Sequence, residues 1–99
     1  MTPLLSLIGE SRIMTNQEIS IELQTRLTYI CKAIAHEPES LLIDIKEVHG
    51  KYLFYLKPSP IDVGVFIGKK GIMVESLRVI TRSIGAQLNV ALEFHLLEN

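Results

Sequence analysis

The residues best equipped to act on a charged partner lie in one stretch, Phe66-Ile67-Gly68-Lys69-Lys70-Gly71-Ile72. Its two glycines leave the backbone without side-chain bulk, so a sugar-phosphate chain can approach it closely. Lys69 and Lys70 add ammonium groups where phosphates would sit. The sequence after Gly71 reads as a helix, which would aim its free amides and positive dipole end at the same place. This is binding chemistry rather than bond making. Gly-x-x-Gly alone also describes an ordinary turn between helices, so its surroundings decide how it is read.

Arg78 and Arg82 lie four apart, opposite Met73 and Leu77 on the same helix. They are either a solvated face or an extension of the positive field, attracting phosphates in a salt-dependent way. Ile72 and Val79 fall off the main apolar stripe, as peripheral core or as a hydrophobic flank. Ile67 and Ile72, on either side of the glycines, suit the walls of a nucleotide groove. Val79 and Ile84 suit a helix-mediated dimer contact. Tyr52, Phe54 and Tyr55 are expected as strand core, with a base-stacking platform as the other reading.

Enzyme chemistry finds little support. His36, His49 and His95 fall in three different elements without metal-ligand spacing. Cys31 sits near the stripe of the first helix and reads as inert packing. There is no Ser/His/Asp grouping, no paired carboxylate site and no Gly-x-x-x-x-Gly-Lys-Ser/Thr loop. The expectation is a protein that is not an enzyme, with no cofactor, no metal and no small-molecule substrate.

Charge sharpens the binding reading. The chain has 99 residues and a net charge of −1, which taken whole argues against nucleic acid. Its distribution argues otherwise. Residues 1–50 hold four bases and seven acids, residues 51–82 hold six bases and two acids, and residues 83–99 add two acids. The positive block contains the two glycines and includes Lys57, Arg78 and Arg82. At 47% hydrophobic and 21% charged residues, the composition is that of a single globular domain. No apolar run approaches the ~18 residues of a membrane span, and Leu4-Leu5-Ser6-Leu7-Ile8 is too short for a secretion signal. A lone cysteine points to a reducing, cytoplasmic setting.

The elements that must position these residues follow in order. Residues 1–14 show no clear period and read as a loose or auxiliary extension, with the domain over 15–97. Thr15-Asn16-Gln17-Glu18 is a capping box. Ile19, Leu23, Leu27, Ile30 and Ile34 then form one helix face, which Pro38 ends near His36. Leu42 to Val48 and Lys51 to Lys57 are strands joined by a His49-Gly50 turn. Ser59, as cap, and Pro60 open a second helix, with Asp62 near its positive end, running to about Ile67. A third helix starts near Ile72, buries Met73, Leu77, Ile80 and Ile84, and stops at Gly85 in a left-handed conformation. Leu88, Val90, Leu92, Phe94 and Leu96 mark a last strand with one buried face. This is an α+β sandwich: a three-stranded sheet with helices on one face.

An Ile-Gly-x-x-Gly loop between two short helices, after a hairpin and before a final strand, resembles the type II KH domain, whose order is α-β-β-α-α-β. The resemblance covers roughly residues 16–97. Lys32-Ala33-Ile34-Ala35-His36-Glu37-Pro38-Glu39 and the passage Pro60 to Gly71 resemble in particular the KhpA family of small bacterial KH proteins. That resemblance implies a cytoplasmic protein that binds single-stranded RNA and acts as an RNA chaperone. It also implies self-association, pairing with a larger KhpB-like KH protein, and a link to cell shape and cell-wall synthesis. The family usually has arginine after the second glycine. Here it is Ile72, which removes one phosphate contact.

Two functions follow. In one, Gly68 to Gly71 clamp single-stranded RNA between Ile67 and Ile72, with Lys69 and Lys70 on phosphates and Lys57, Arg78 and Arg82 assisting. In the other, motivated by the acidic ends and Ile72, the fold is a dimerisation or adaptor module with vestigial RNA binding.

Overall fold

Thr15 sets the start of the first helix. Its hydroxyl accepts the Glu18 N–H at 3.1 Å while the Glu18 carboxylate accepts the Thr15 N–H at 2.9 Å. This is the reciprocal cap expected from the sequence, and such caps contribute about 1 kcal/mol. Helix α1 then spans Asn16–Ile34 and buries Ile19, Leu23, Leu27 and Cys31. Ile30 and Ile34 pack at the edge of the core. The helix ends two residues before His36 because the N–H groups of His36 and Glu37 leave the helical ladder for the carboxylate of Asp62.

The computed structural model describes residues 14–98. Apart from Met14, the stretch read as an N-terminal extension lies outside the described residues. Met14 itself packs against the core.

Strands β1 (Leu42–Val48) and β2 (Lys51–Lys57) pair antiparallel. His49 and Gly50 join them, both at positive φ (52° and 81°), the backbone of a two-residue hairpin turn. Strand β3 (Ala91–Leu96) pairs parallel to β2, which is therefore central. A parallel neighbour needs a crossover. It is built from helix α2 (Val63–Ile67), a tight turn over Lys69–Gly71 and helix α3 (Ile72–Gln87). The helices cover one face of the sheet, with α1 over β1 and α3 over β3.

Strand alternation fills the space beneath them. Tyr52, Phe54 and Leu56 of β2 and Leu92 and Phe94 of β3 are buried with Phe66 of α2 and Leu77 of α3. Each such side chain contributes roughly 1.5–3 kcal/mol of transfer free energy. Phe54 and Phe94 stand opposite each other in register, ring centroids 5.2 Å apart. Tyr52 and Phe54 are thus core, as expected. Tyr55 is not: it lies half-buried on the open face, stacked on His95 at 5.2 Å.

Helix α3 departs from expectation. Thr81, not Ile80, completes its buried stripe, and Ile80 is 40% exposed. The helix also continues through Gly85. A Cβ there would lie 2.8 Å from Leu92 Cβ and 2.9 Å from the Val90 carbonyl, so this glycine lets α3 and β3 touch. The left-handed stop falls to Asn89 (φ 59°). Leu88 to Val90 fold back onto the carbonyls of Gly85 and Ala86, so β3 begins only at Ala91.

Candidate nucleic-acid interface

The loop geometry follows from its two glycines, and they do different work. Gly68 has φ 77° and ψ 167°, and a Cβ on it would fall 2.5 Å from the Met73 backbone nitrogen. Gly71 has φ 78° and faces open space, the nearest atom to such a Cβ being Val74 Cγ1 at 3.9 Å. The first glycine is needed inside the fold. The second needs only its backbone conformation, and it leaves the surface bare. Lys70 between them is also left-handed (φ 56°). The Gly71 N–H closes the turn on the Gly68 carbonyl at 3.1 Å, and the Gly68 N–H caps α2 on Gly64 at 2.9 Å.

Lys69 and Lys70 are exposed and have no ion-pair partner among the described residues. Ile72 is 66% exposed and Ile67 half-buried. The loop is thus a bare, cationic turn between two isoleucines, where the sequence places it.

Residues 71, 75, 78, 82 and 86 recur on one face of α3, so the second glycine, both arginines and Ala86 share a side. That side borders a cleft of about 480 Å3 whose opposite wall is β3, from Val90 to Phe94, with Lys51 also lining it. β3 is an edge strand among the described residues, so the cleft also presents unpaired backbone groups. Arg78 binds Glu75 at 2.6 Å, and Arg82 has no ion-pair partner among the described residues. Lys51 lies 3.3 Å from Glu93, whose carboxyl is held below its ordinary value by His95 and then Lys51.

Two expected contributors fall elsewhere. Lys57 shares strand parity with Tyr55, which puts it on the open face, across the sheet from α2 and α3. Ile84 is only 9% exposed and belongs to the core, so it is not available for the helix-mediated contact expected of it; Val79, at 57%, is.

Asp62 is the positioning residue that sequence reading undervalued. It is fully buried, and its carboxylate accepts the N–H of His36 at 3.0 Å and of Glu37 at 2.8 Å, with His36 Nδ1 3.3 Å away. Burial pushes its pKa up. The backbone donors of Glu37 and His36, then the His36 ring, outweigh that and hold it below the ordinary carboxylate value. The turn leading into α2 is thereby fastened to the end of α1. The sequence signal is Pro60-Ile61-Asp62, in which Asp62 by itself has the look of a helix-dipole residue. Ser59 occupies the cap position without capping: its hydroxyl makes no cap bond and is buried without a partner among the described residues.

Among the described residues, no three His, Cys, Asp or Glu side chains gather as a metal site, and no helix is long and apolar enough to cross a membrane.

Comparison with known proteins identifies the family. The family model described as "KhpA/KhpB, KH domain" matches residues 24–95. The chain is similar to "RNA-binding protein KhpA" of Chlamydia caviae, 31% identical over 75 residues, which is 74% of this chain and 94% of that protein. It is equally similar to the protein of that name from Chlamydia pneumoniae, 31% identical over 74 residues, 73% of this chain and 92% of the relative. No solved structure gives a significant match. With the helix order, the mixed sheet and the Gly68–Gly71 loop all in place, the chain belongs to the KhpA/KhpB family of KH-domain proteins.

Proposed function

We propose that this protein binds single-stranded RNA along the Gly68–Gly71 loop and the adjoining cleft. The observation that carries the reading is the shared face of α3, which runs from the bare second glycine past Arg78 and Arg82 beside the free edge of β3. A strand entering at the loop meets backbone amides and Lys69 and Lys70. It continues along a groove with two guanidinium groups on one wall and strand-edge hydrogen-bonding groups on the other. Ile67 and Ile72 form apolar walls at the entrance. Lys57, across the sheet, adds only to the long-range field. Most of these contacts address phosphate and sugar, so sequence preference is weak. The relatives' name points the same way.

The finer family properties belong to the same proposal. They are a cytoplasmic RNA chaperone that self-associates and pairs with a larger KhpB-like KH protein, in a pathway tied to cell shape and wall synthesis. The test is the Lys69→Asp/Lys70→Asp double variant, titrated with a fluorescent single-stranded RNA at several salt concentrations. Loss of affinity with a shallower salt slope is expected. A folded double variant with unchanged affinity and slope overturns the clamp and favours the adaptor reading.

A further inference from the structure

The sheet has an open face, turned away from the helices, that neither the core nor the loop uses. Strand parity puts Lys46 of β1, Tyr55 of β2 and His95 of β3 on it. Tyr55 and His95 stand opposite each other in register and stack, their ring centroids 5.2 Å apart and their planes 22° from parallel. Lys46 approaches the same phenol ring from β1, with its Nζ 5.8 Å from the centroid. Glu93 Oε1 steadies the imidazole, 2.9 Å from Nε2, and Lys51 counters the same carboxylate at 3.3 Å. β3 is the edge of the sheet among the described residues, so no strand lies beyond His95, and its side chain is 41% exposed. The row Lys46–Tyr55–His95 is thus a stack with one open end. Lys51 and Glu93 share this face and also line the cationic cleft, so cleft and open face meet at the β3 edge.

We propose, on the reading that the cleft holds RNA, that the strand continues across the β3 edge and lays a base on the outer face of His95, as the next layer of this stack. Every base has a π face, so the platform takes any sequence, in keeping with a cleft that addresses phosphate and sugar. Lys46 holds the phenol by cation–π attraction, and the phenol in turn backs the imidazole. Charge suits the same ligand. The open face carries Lys46, Lys51 and Lys57 against Asp44 and Glu93, a positive balance that draws a polyanion. Affinity then depends on RNA length. A short strand fills the loop alone, while a longer one is already tethered when its next base reaches the platform.

Titration of the full chain with two fluorescent single-stranded RNAs tests this. One is about four nucleotides long, the length a Gly-x-x-Gly clamp holds. The other is about twelve, within the span of known single-strand sites. The wild type is expected to bind the longer strand more tightly. His95→Ala should weaken that strand by about tenfold and leave the shorter one unchanged, while His95→Tyr, which restores a ring, should keep the wild-type affinity for both. In NMR spectra, the ring protons of His95 and Tyr55 should move upfield with the longer strand and stay in place with the shorter. A longer strand indifferent to His95→Ala, or ring protons that do not move, overturns the inference, keeps the clamp and leaves the open face to a protein partner. Equal losses for both lengths in His95→Ala also overturn it, because the damage then reaches the cleft. A wild type that binds neither strand overturns the RNA reading itself, and this inference with it.

Discussion

The buried carboxylate of Asp62 accepts the backbone N–H of Glu37 at 2.8 Å, joining residues 25 positions apart in the chain. The bond fixes the end of α1 against the turn that leads into α2, and α2 ends at Ile67 with Gly68 as its cap. Asp62 thus determines where the loop begins without being part of it.

Acid should expose this dependence. The Asp62 pKa is lowered in the folded protein, so the group contributes stability that is fully present above its unfolded value of about 4. That contribution is lost as pH falls through the unfolded value toward the folded one. Urea midpoints should therefore hold steady from neutrality to about pH 5 and fall below it. Asp62→Asn should be less stable at pH 7 and should flatten the acid limb. An acid limb unchanged in Asp62→Asn would assign the loss to other carboxylates.

The two loop glycines should separate on substitution. Gly71→Ala meets open space and carries only the left-handed penalty, about 1–2 kcal/mol. Gly68→Ala carries that penalty and also drives its Cβ into the Met73 backbone, so a loss above about 3 kcal/mol is expected. Chemical denaturation of the two variants measures the difference. Equal losses would mean that the Gly68–Met73 approach relaxes freely.

Cys31 lies 1% exposed on the buried face of α1, and burial pushes its pKa up to about 12. The thiolate is the reactive form, so the native protein should resist iodoacetamide at pH 8 while the urea-unfolded chain reacts at the rate of a free thiol. Labelling along a urea titration should track the unfolding curve. Fast labelling in native buffer would show that α1 opens locally.

The elements were legible wherever one signal dominated. Thr15 and Glu18, the His49-Gly50 turn and the alternation of Leu92 and Phe94 each have a local cause, and each sits where the sequence puts it. Misreadings arose where tertiary contact reassigns a residue. Gly85 looks like a helix stop because glycine tolerates left-handed geometry, yet its role is close approach to β3. Asp62 looks like a dipole residue because its partners, His36 and Glu37, are remote in sequence. The loop itself was readable from Gly-x-x-Gly, but the cleft was not. Its far wall is the edge of β3, and only the sheet order reveals that edge.

Arg78 and Arg82 line that cleft from α3 but stand outside the loop. If both meet phosphates, Arg78→Ala/Arg82→Ala should weaken RNA binding and lower the slope of log affinity against log salt by about 1.4, at roughly 0.7 per single-strand phosphate. The fold should hardly respond. Arg78 has one exposed i,i+3 partner in Glu75, and such pairs contribute about 0–1 kcal/mol. A fluorescence titration across salt concentrations, paired with a urea melt, reads both quantities. An unchanged slope would confine the RNA to Lys69, Lys70 and the loop amides, and the cleft beside β3 would then lie off its path.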